Sequence, residues 1–157
     1  YYLDWLVMGI TDFNRTMLSA KILKKYNYKG IVISGEIKGY GYIDELSPFG
    51  FSKICYFEND IYEELLDPAE IFGKRLKPIG YIFQTANLEY EKRKFEEIIR
   101  GNAPFEAKAL IALNAGAPLS LITQQSLADS VKECLEIIDS GEPYNVWKRL
   151  KEMLYEK

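Results

Sequence analysis

The chain has 157 residues, of which 48% are hydrophobic and 27% charged, and this length is sufficient for one domain with a buried core. An aromatic content of 14% and a modest number of Gly and Pro residues exclude a disordered chain. The formal net charge of −3 gives no broad attraction to nucleic acid or to an anionic membrane. No unbroken apolar run approaches the roughly 18 residues that a membrane span needs.

The rarest residue types exclude several kinds of site. The chain has no histidine, which excludes Ser-His-Asp and Cys-His catalysis and His-ligated zinc. Cys55 and Cys134 both lie in apolar patterns, so we interpret them as core residues of a protein from a reducing, cytoplasmic compartment. The first residue is Tyr1 rather than Met and no targeting signal follows, so we expect a processed chain or a piece of a longer one.

The first part of the sequence predicts a βαβ unit followed by a hairpin. Residues 6–10 and 30–35 form short apolar runs typical of buried strands, and apolar side chains recur at helical spacing over residues 13–23. Two strands joined in this way are expected to be parallel, with a right-handed crossover. Residues 35–50 are rich in glycine and indicate a loop, and residues 51–58 and 61–65 predict two antiparallel strands joined by a turn at Asn59-Asp60.

From residue 85 onward the apolar pattern has helical spacing and predicts four helices. Their predicted boundaries are Gly101 for the end of the first, Pro104 and the region of Gly116 and Pro118 for the second, Ser126 (with Asp129 in a capping box) and Gly141 for the third, and Pro143 for the start of the fourth. The fold class is therefore expected to be α/β, with a mainly parallel sheet that contains an antiparallel hairpin, flanking helices and a helical C-terminal third. Residues 1–157 are expected to form a single domain.

One polar pair stands out from this pattern. No Gly-rich phosphate loop and no Gly-x-Ser-x-Gly elbow is present, so the chain carries no self-sufficient catalytic motif. Asp44 and Glu45, however, place two adjacent carboxylates in a glycine-rich loop that follows the second predicted strand. The carboxyl ends of strands in α/β sheets are where ligands bind, and Mg²⁺ prefers such hard oxygen ligands. A solvated acidic pair at a turn is the alternative interpretation of the local sequence.

Short segments also stand in a characteristic order. They are Ile-Val-Ile-Ser-Gly at 31–35, Asp-Glu-Leu-Ser at 44–47, Asn-Asp at 59–60, Pro-Ala-Glu-Ile-Phe-Gly at 68–73, Asn-Ala-Gly at 114–116, and a helix over 126–141 that ends in Asp-Ser-Gly. This set resembles the C-terminal half of the anthranilate phosphoribosyltransferase family, which has the nucleoside phosphorylase/anthranilate phosphoribosyltransferase-like fold. The corresponding family segments include Val-Val-His-Gly, Asp-Glu-(Ile/Leu)-Ser, a turn at Asp-Gly, Pro-Glu-Asp-Phe-Gly and Asn-Ala-Ala.

The resemblance implies an enzyme of tryptophan biosynthesis that moves the phosphoribosyl group of 5-phosphoribosyl 1-diphosphate (PRPP) onto anthranilate and releases pyrophosphate. It implies that Asp44 and Glu45 bind Mg²⁺ on the diphosphate and that Ser34 and Gly35 contact substrate. The family's Gly-Thr-Gly-Gly-Asp loop for PRPP, and the N-terminal helical domain through which its members form homodimers, are not in this chain. The isolated chain is therefore expected to be inactive and to act as the C-terminal part of a larger transferase domain.

The sequence departs from the family at the strand end. Ser34 stands where the family usually has His, and residues 36–43 form a longer segment than usual, so that a second alignment places Lys38-Gly39 at the strand end. Two other functions therefore remain as alternatives, a diverged relative that binds nucleotide or nucleic acid without turnover and a purely structural fragment. The net charge of −3 does not favour nucleic acid, and no membrane partner is expected.

Overall fold

A computed structural model describes residues 5–155 of the chain. These residues cluster into two compact units. The sheet unit contains the described residues up to Pro78 together with Leu121–Thr123, and the helical unit contains Ile79–Ser120 and the described residues from Gln124 onward. That residues 1–157 form a single domain stays a prediction.

The sheet unit is built on five strands. They are β1 (Leu6–Gly9), β2 (Gly30–Ile37), β3 (Gly41–Ile43), β4 (Ser52–Phe57) and β5 (Ile61–Leu66), with the helices α1 (Thr16–Lys25) and α2 (Ala69–Phe72). The strand order is β1-β2-β4-β5, and β3 pairs with β2 as well. The predicted βαβ unit is confirmed, because β1 and β2 are parallel and α1 connects them. The predicted hairpin is confirmed as β4 and β5.

The expected fold class is confirmed as a mixed α/β sheet flanked by helices. One detail differs, because the sheet of the described residues is mixed rather than mainly parallel. β2 pairs in parallel with β1, whereas it pairs antiparallel with β4 along its other edge and antiparallel with β3 at its carboxyl end. The expected loop over residues 35–50 therefore contains the end of β2 and all of β3. Gly39 and Gly41 have φ values of +88° and +119° and allow the tight turn between these two strands.

The core of the sheet unit lies between α1 and the sheet. Its buried centre consists of Ala20, Val32, Cys55 and Phe57, and the half-buried side chains of Leu6, Ile10, Met17, Leu23 and Ile61 pack around it. Both cysteines are free and buried, as expected from their apolar patterns. Burial also raises the pKa of the Cys55 thiol to about 11, so it is a packing residue rather than a nucleophile.

The four predicted helices are confirmed. They are α3 (Leu88–Ile99), α4 (Phe105–Thr123), α5 (Leu127–Ser140) and α6 (Glu142–Tyr155). The predicted cap of α5 is confirmed, since the Ser126 hydroxyl oxygen accepts a hydrogen bond from the Asp129 amide at 3.1 Å. The predicted end of α4 near Gly116 and Pro118 is wrong, because the helix continues to Thr123. A Cβ on Gly116 would lie 2.8 Å from Val131 Cγ2, so this glycine permits a close helix contact instead of ending the helix.

Among residues 5–155, α4 alone has the length and apolar composition of a helix that could cross a membrane. This property is weak evidence for a span, because the core helix of a globular protein can share it. The face of α4 that is buried carries mostly small side chains. They belong to Ala107, Ala109, Ala112, Leu113, Gly116 and Ala117.

An ion pair between Asp67 and Arg75 bridges the segment that follows β5. Because of this pair, we expect the stability of the fold to depend on pH. The Asp67 carboxylate accepts hydrogen bonds from Arg75 at 2.9 and 2.6 Å and from the Ala69 amide at 3.0 Å. The bonds from Arg75, followed by the bond from Ala69, lower the Asp67 pKa from 3.8 to about 2. A carboxyl whose pKa is lower in the folded state stabilises the fold above its unfolded pKa, and this contribution disappears as the pH falls through the folded pKa.

We therefore expect Asp67→Asn to lower the melting temperature above pH 4, and the difference from wild type to vanish as the pH falls to about 2. Thermal unfolding across this pH range measures the effect. Arg75→Gln should reproduce it, and the double variant should lose little more than either single variant because both remove the same pair. A difference between wild type and Asp67→Asn that is independent of pH would contradict the prediction.

Candidate metal and substrate site

The acidic pair Asp44-Glu45 lies where strand ends meet in the sheet unit. β3 pairs with β2 beyond the point where β1 ends, so the chain that leaves β3 arrives at the carboxyl end of β1. A Cβ on Gly9 would lie 1.7 Å from the Asp44 carbonyl oxygen, and a Cβ on Gly35 would lie 2.4 Å from the Glu45 carbonyl oxygen. The backbone of the pair thus lies directly against two glycines, at the sheet edge where α/β proteins bind ligands.

Hydrogen bonds hold the chain on both sides of the acidic pair. The buried Ser34 hydroxyl donates to the Ile43 carbonyl at 3.4 Å, just before the pair. After it, the Ser47 amide donates to the Ser52 hydroxyl at 2.8 Å, and the Ser47 hydroxyl accepts from the Phe49 amide at 3.1 Å. The structure therefore brings the sequence-predicted Ser34, Gly35, Asp44 and Glu45 together. Contact of Ser34 and Gly35 with substrate stays a prediction, since both lie beneath the backbone of the pair.

The acidic pair brings two negative charges together at the surface of the sheet unit. Both side chains are exposed and can be reached from solvent. The surrounding chain removes part of the solvent from the Glu45 carboxyl, and this desolvation, followed by the negative charge of Asp44, raises its pKa. A cation between the carboxylates would offset this repulsion. Within residues 5–155, no group of three His, Cys, Asp or Glu side chains is placed to hold a metal. A hard cation held by the pair alone would need further oxygen ligands from outside these residues, such as water or a phosphate group.

An aromatic contact beside the pair was not predicted from the sequence. The ring of Tyr42, on β3, stacks on Phe13 with a centroid separation of 4.8 Å and an interplanar angle of 28°. The sequence pattern placed Phe13 on the buried face of the first helix, but α1 begins at Thr16 and Phe13 lies in the preceding turn. No spacing along the chain could have indicated this contact, because it joins residues from separate elements.

The curated proteins that match this sequence carry the same name, anthranilate phosphoribosyltransferase. No protein-family model matches the sequence. The chain is 28% identical over 148 residues to anthranilate phosphoribosyltransferase of Picrophilus torridus, covering 92% of this chain and 42% of that protein. It is 26% identical over 150 residues to the Bacillus licheniformis enzyme, covering 93% of this chain and 42% of the relative.

Solved structures agree in fold. Anthranilate phosphoribosyltransferase from Thermus thermophilus superposes with a TM-score of 0.71 at 24% identity, over 90% of this chain and 40% of that one. The Saccharomyces cerevisiae enzyme in complex with PRPP and Mg gives a TM-score of 0.71 at 18% identity, over the same shares of the two chains. The chain is thus homologous to one part of anthranilate phosphoribosyltransferase, and it spans about two fifths of the length of these relatives.

The contact between Gly9 and Asp44 gives a direct test of how the pair is held. Gly9→Ala places a methyl group inside the volume of the Asp44 carbonyl oxygen, so we expect a loss of about 3 kcal/mol of unfolding free energy, at the upper end for overpacking. Urea denaturation measures this loss. Gly80→Ala is the matched control, because a Cβ there meets no atom within 4 Å. Equal stability of the two variants would show that the acidic pair does not lie against Gly9.

Proposed function

We propose that this chain is the metal-binding part of a Mg²⁺-dependent phosphoribosyltransferase that moves the phosphoribosyl group of PRPP onto anthranilate and releases pyrophosphate in tryptophan biosynthesis. The observation that carries the proposal is the position of Asp44 and Glu45 against Gly9 and Gly35 at the strand ends. The homology to anthranilate phosphoribosyltransferase supports the reaction, and the yeast relative in complex with PRPP and Mg supports the ligands.

In this proposal Asp44 and Glu45 hold Mg²⁺ with hard carboxylate oxygens. Bound Mg²⁺ supplies neutralisation of the negative charge that grows on a departing diphosphate. Gly9 and Gly35 orient the two carboxylates by fixing the backbone that carries them, and the Ser34 hydroxyl fixes the preceding carbonyl. Displacement at a sugar C1 passes through an oxocarbenium-like state and requires no imidazole base, so a chain without histidine can take part.

In this proposal, the binding of PRPP and of the acceptor requires a longer protein that includes this chain. Relatives have about 2.4 times the aligned length, since the chain covers 42% of them. The proposed protein contains the PRPP loop and the acceptor site upstream of these residues, forms a homodimer through N-terminal helices, and is cytoplasmic. The isolated chain then binds the metal with pyrophosphate but does not turn over PRPP.

The metal assignment can be tested on the chain itself. We expect isothermal titration with Mg²⁺ in the presence of pyrophosphate to show saturable binding, which Asp44→Asn and Glu45→Gln each weaken by about 10-fold or more, since each removes an anionic ligand. Asp60→Asn is the matched control, because it removes an exposed carboxylate at the β4–β5 turn. Binding that is unchanged in Asp44→Asn would refute the metal site.

The reaction is tested on a protein that joins this chain to the upstream segment. PRPP-dependent loss of anthranilate fluorescence should be present in the wild type and strongly reduced in the Asp44→Asn/Glu45→Gln variant. Equal rates would contradict the role of the pair in turnover. Metal-dependent binding of PRPP without loss of anthranilate would instead identify a relative that binds nucleotide-like ligands without turnover.

A further inference from the structure

We propose that Tyr42, stacked on Phe13, is a positioning residue that holds the acidic pair in place for metal binding. The inference rests on the proposed function, in which Asp44 and Glu45 bind Mg²⁺. Tyr42 does not bind the metal in this account. It acts through the backbone, because it lies on β3 only two residues before Asp44.

The stack adds a side-chain contact to the backbone contacts and hydrogen bonds that hold the acidic pair. β3 has three residues and ends immediately before Asp44. Gly39 in the preceding turn and Gly41 at the start of β3 both have φ in the left-handed region, and a Cβ on either would meet no atom within 4 Å. Gly9 and Gly35 contact the backbone of the pair but contribute no side-chain contact. The hydrogen bond from the Ser34 hydroxyl to the Ile43 carbonyl is long at 3.4 Å. The stacked ring of Tyr42 ties this short strand to the turn after β1.

Phe13 is itself held by a chain of contacts that reaches the sheet. Lys53 Nζ of β4 lies 4.9 Å from the centre of the Phe13 ring, in a cation–π contact. The same ammonium pairs with the Glu63 carboxylate of β5 at 3.0 Å. Glu63 also accepts a hydrogen bond from the buried hydroxyl of Thr16, the first residue of α1. The Phe13 ring thus contacts both Tyr42 of β3 and Lys53 of β4, which links the Tyr42 stack to the sheet.

The size of the effect follows from the strength of such pairs. An aromatic pair contributes a coupling that corresponds to a change of about 2- to 10-fold in an equilibrium constant. If the stack selects the arrangement of the pair that binds metal, its loss should weaken metal affinity by this factor and loosen the local backbone. It should not abolish binding, since both carboxylates remain.

The experiment compares Tyr42→Leu, Phe13→Leu and their double variant with the conservative Tyr42→Phe, all in the full chain. Tyr62→Leu is the matched control, because Tyr62 and Tyr42 are both 51% exposed and Tyr62 stacks on Tyr56 at 4.7 Å, away from the acidic pair. Hydrogen exchange of the segment 42–47 reports the local backbone. Titration with Mn²⁺ in the presence of pyrophosphate, followed by electron paramagnetic resonance, reports metal binding, with Asp44→Asn defining the signal of the site.

We expect Tyr42→Leu and Phe13→Leu each to speed exchange in segment 42–47 and to weaken Mn²⁺ binding by about 2- to 10-fold, with the double variant little worse than either single variant. Tyr42→Phe should behave like the wild type, and Tyr62→Leu should change neither measurement. Normal exchange and normal Mn²⁺ affinity in Tyr42→Leu would overturn the positioning role. A wild type that shows no Asp44-dependent Mn²⁺ binding would instead overturn the proposed function, and the two failures are therefore distinct.

Discussion

The candidate site depends on one backbone contact, in which the acidic pair lies against Gly9 and Gly35. Any side chain at either glycine would occupy the volume of a carbonyl oxygen of the pair. This contact sets which strands must be adjacent, because the last residue of β3 has to pair with β2 just beyond the point where β1 ends. β2 is therefore the strand on which the site is built. It carries Ser34 and Gly35, and it aligns the ends of both neighbours.

The sequence could predict those parts of the fold that depend on local patterns. The βαβ unit, the β4–β5 hairpin and the four C-terminal helices each have an apolar period with turn or cap residues at the ends, such as Ser126 before α5. The end of α4 could not be predicted in this way. Gly116 is a helix-breaking signal in the sequence, but its place opposite Val131 shows that it serves a tertiary contact, which overrides the local preference.

The site was predictable only in part, for the same reason. The position of Asp44 and Glu45 at the strand ends could be predicted, because the pair follows a strand in a glycine-rich segment, and their role as cation ligands stays a proposal. The stack of Tyr42 on Phe13 joins residues from separate elements, and no spacing along the chain indicates it. β3 was not predicted, because a strand of three residues that begins with a glycine has too few side chains to show an alternation of apolar and polar residues.

The β2–β3 hairpin also explains how the acidic pair can lie at a strand end although eight residues separate it from Gly35. Eight residues separate Gly35 from Asp44, enough to carry the acidic pair more than 20 Å away if they were extended. The hairpin instead pairs Gly35 with Ile43, which returns the chain to the strand end one residue before Asp44. These eight residues thus bring the carboxylates to the carboxyl ends of the parallel strands, and they also place Tyr42 where it stacks on Phe13.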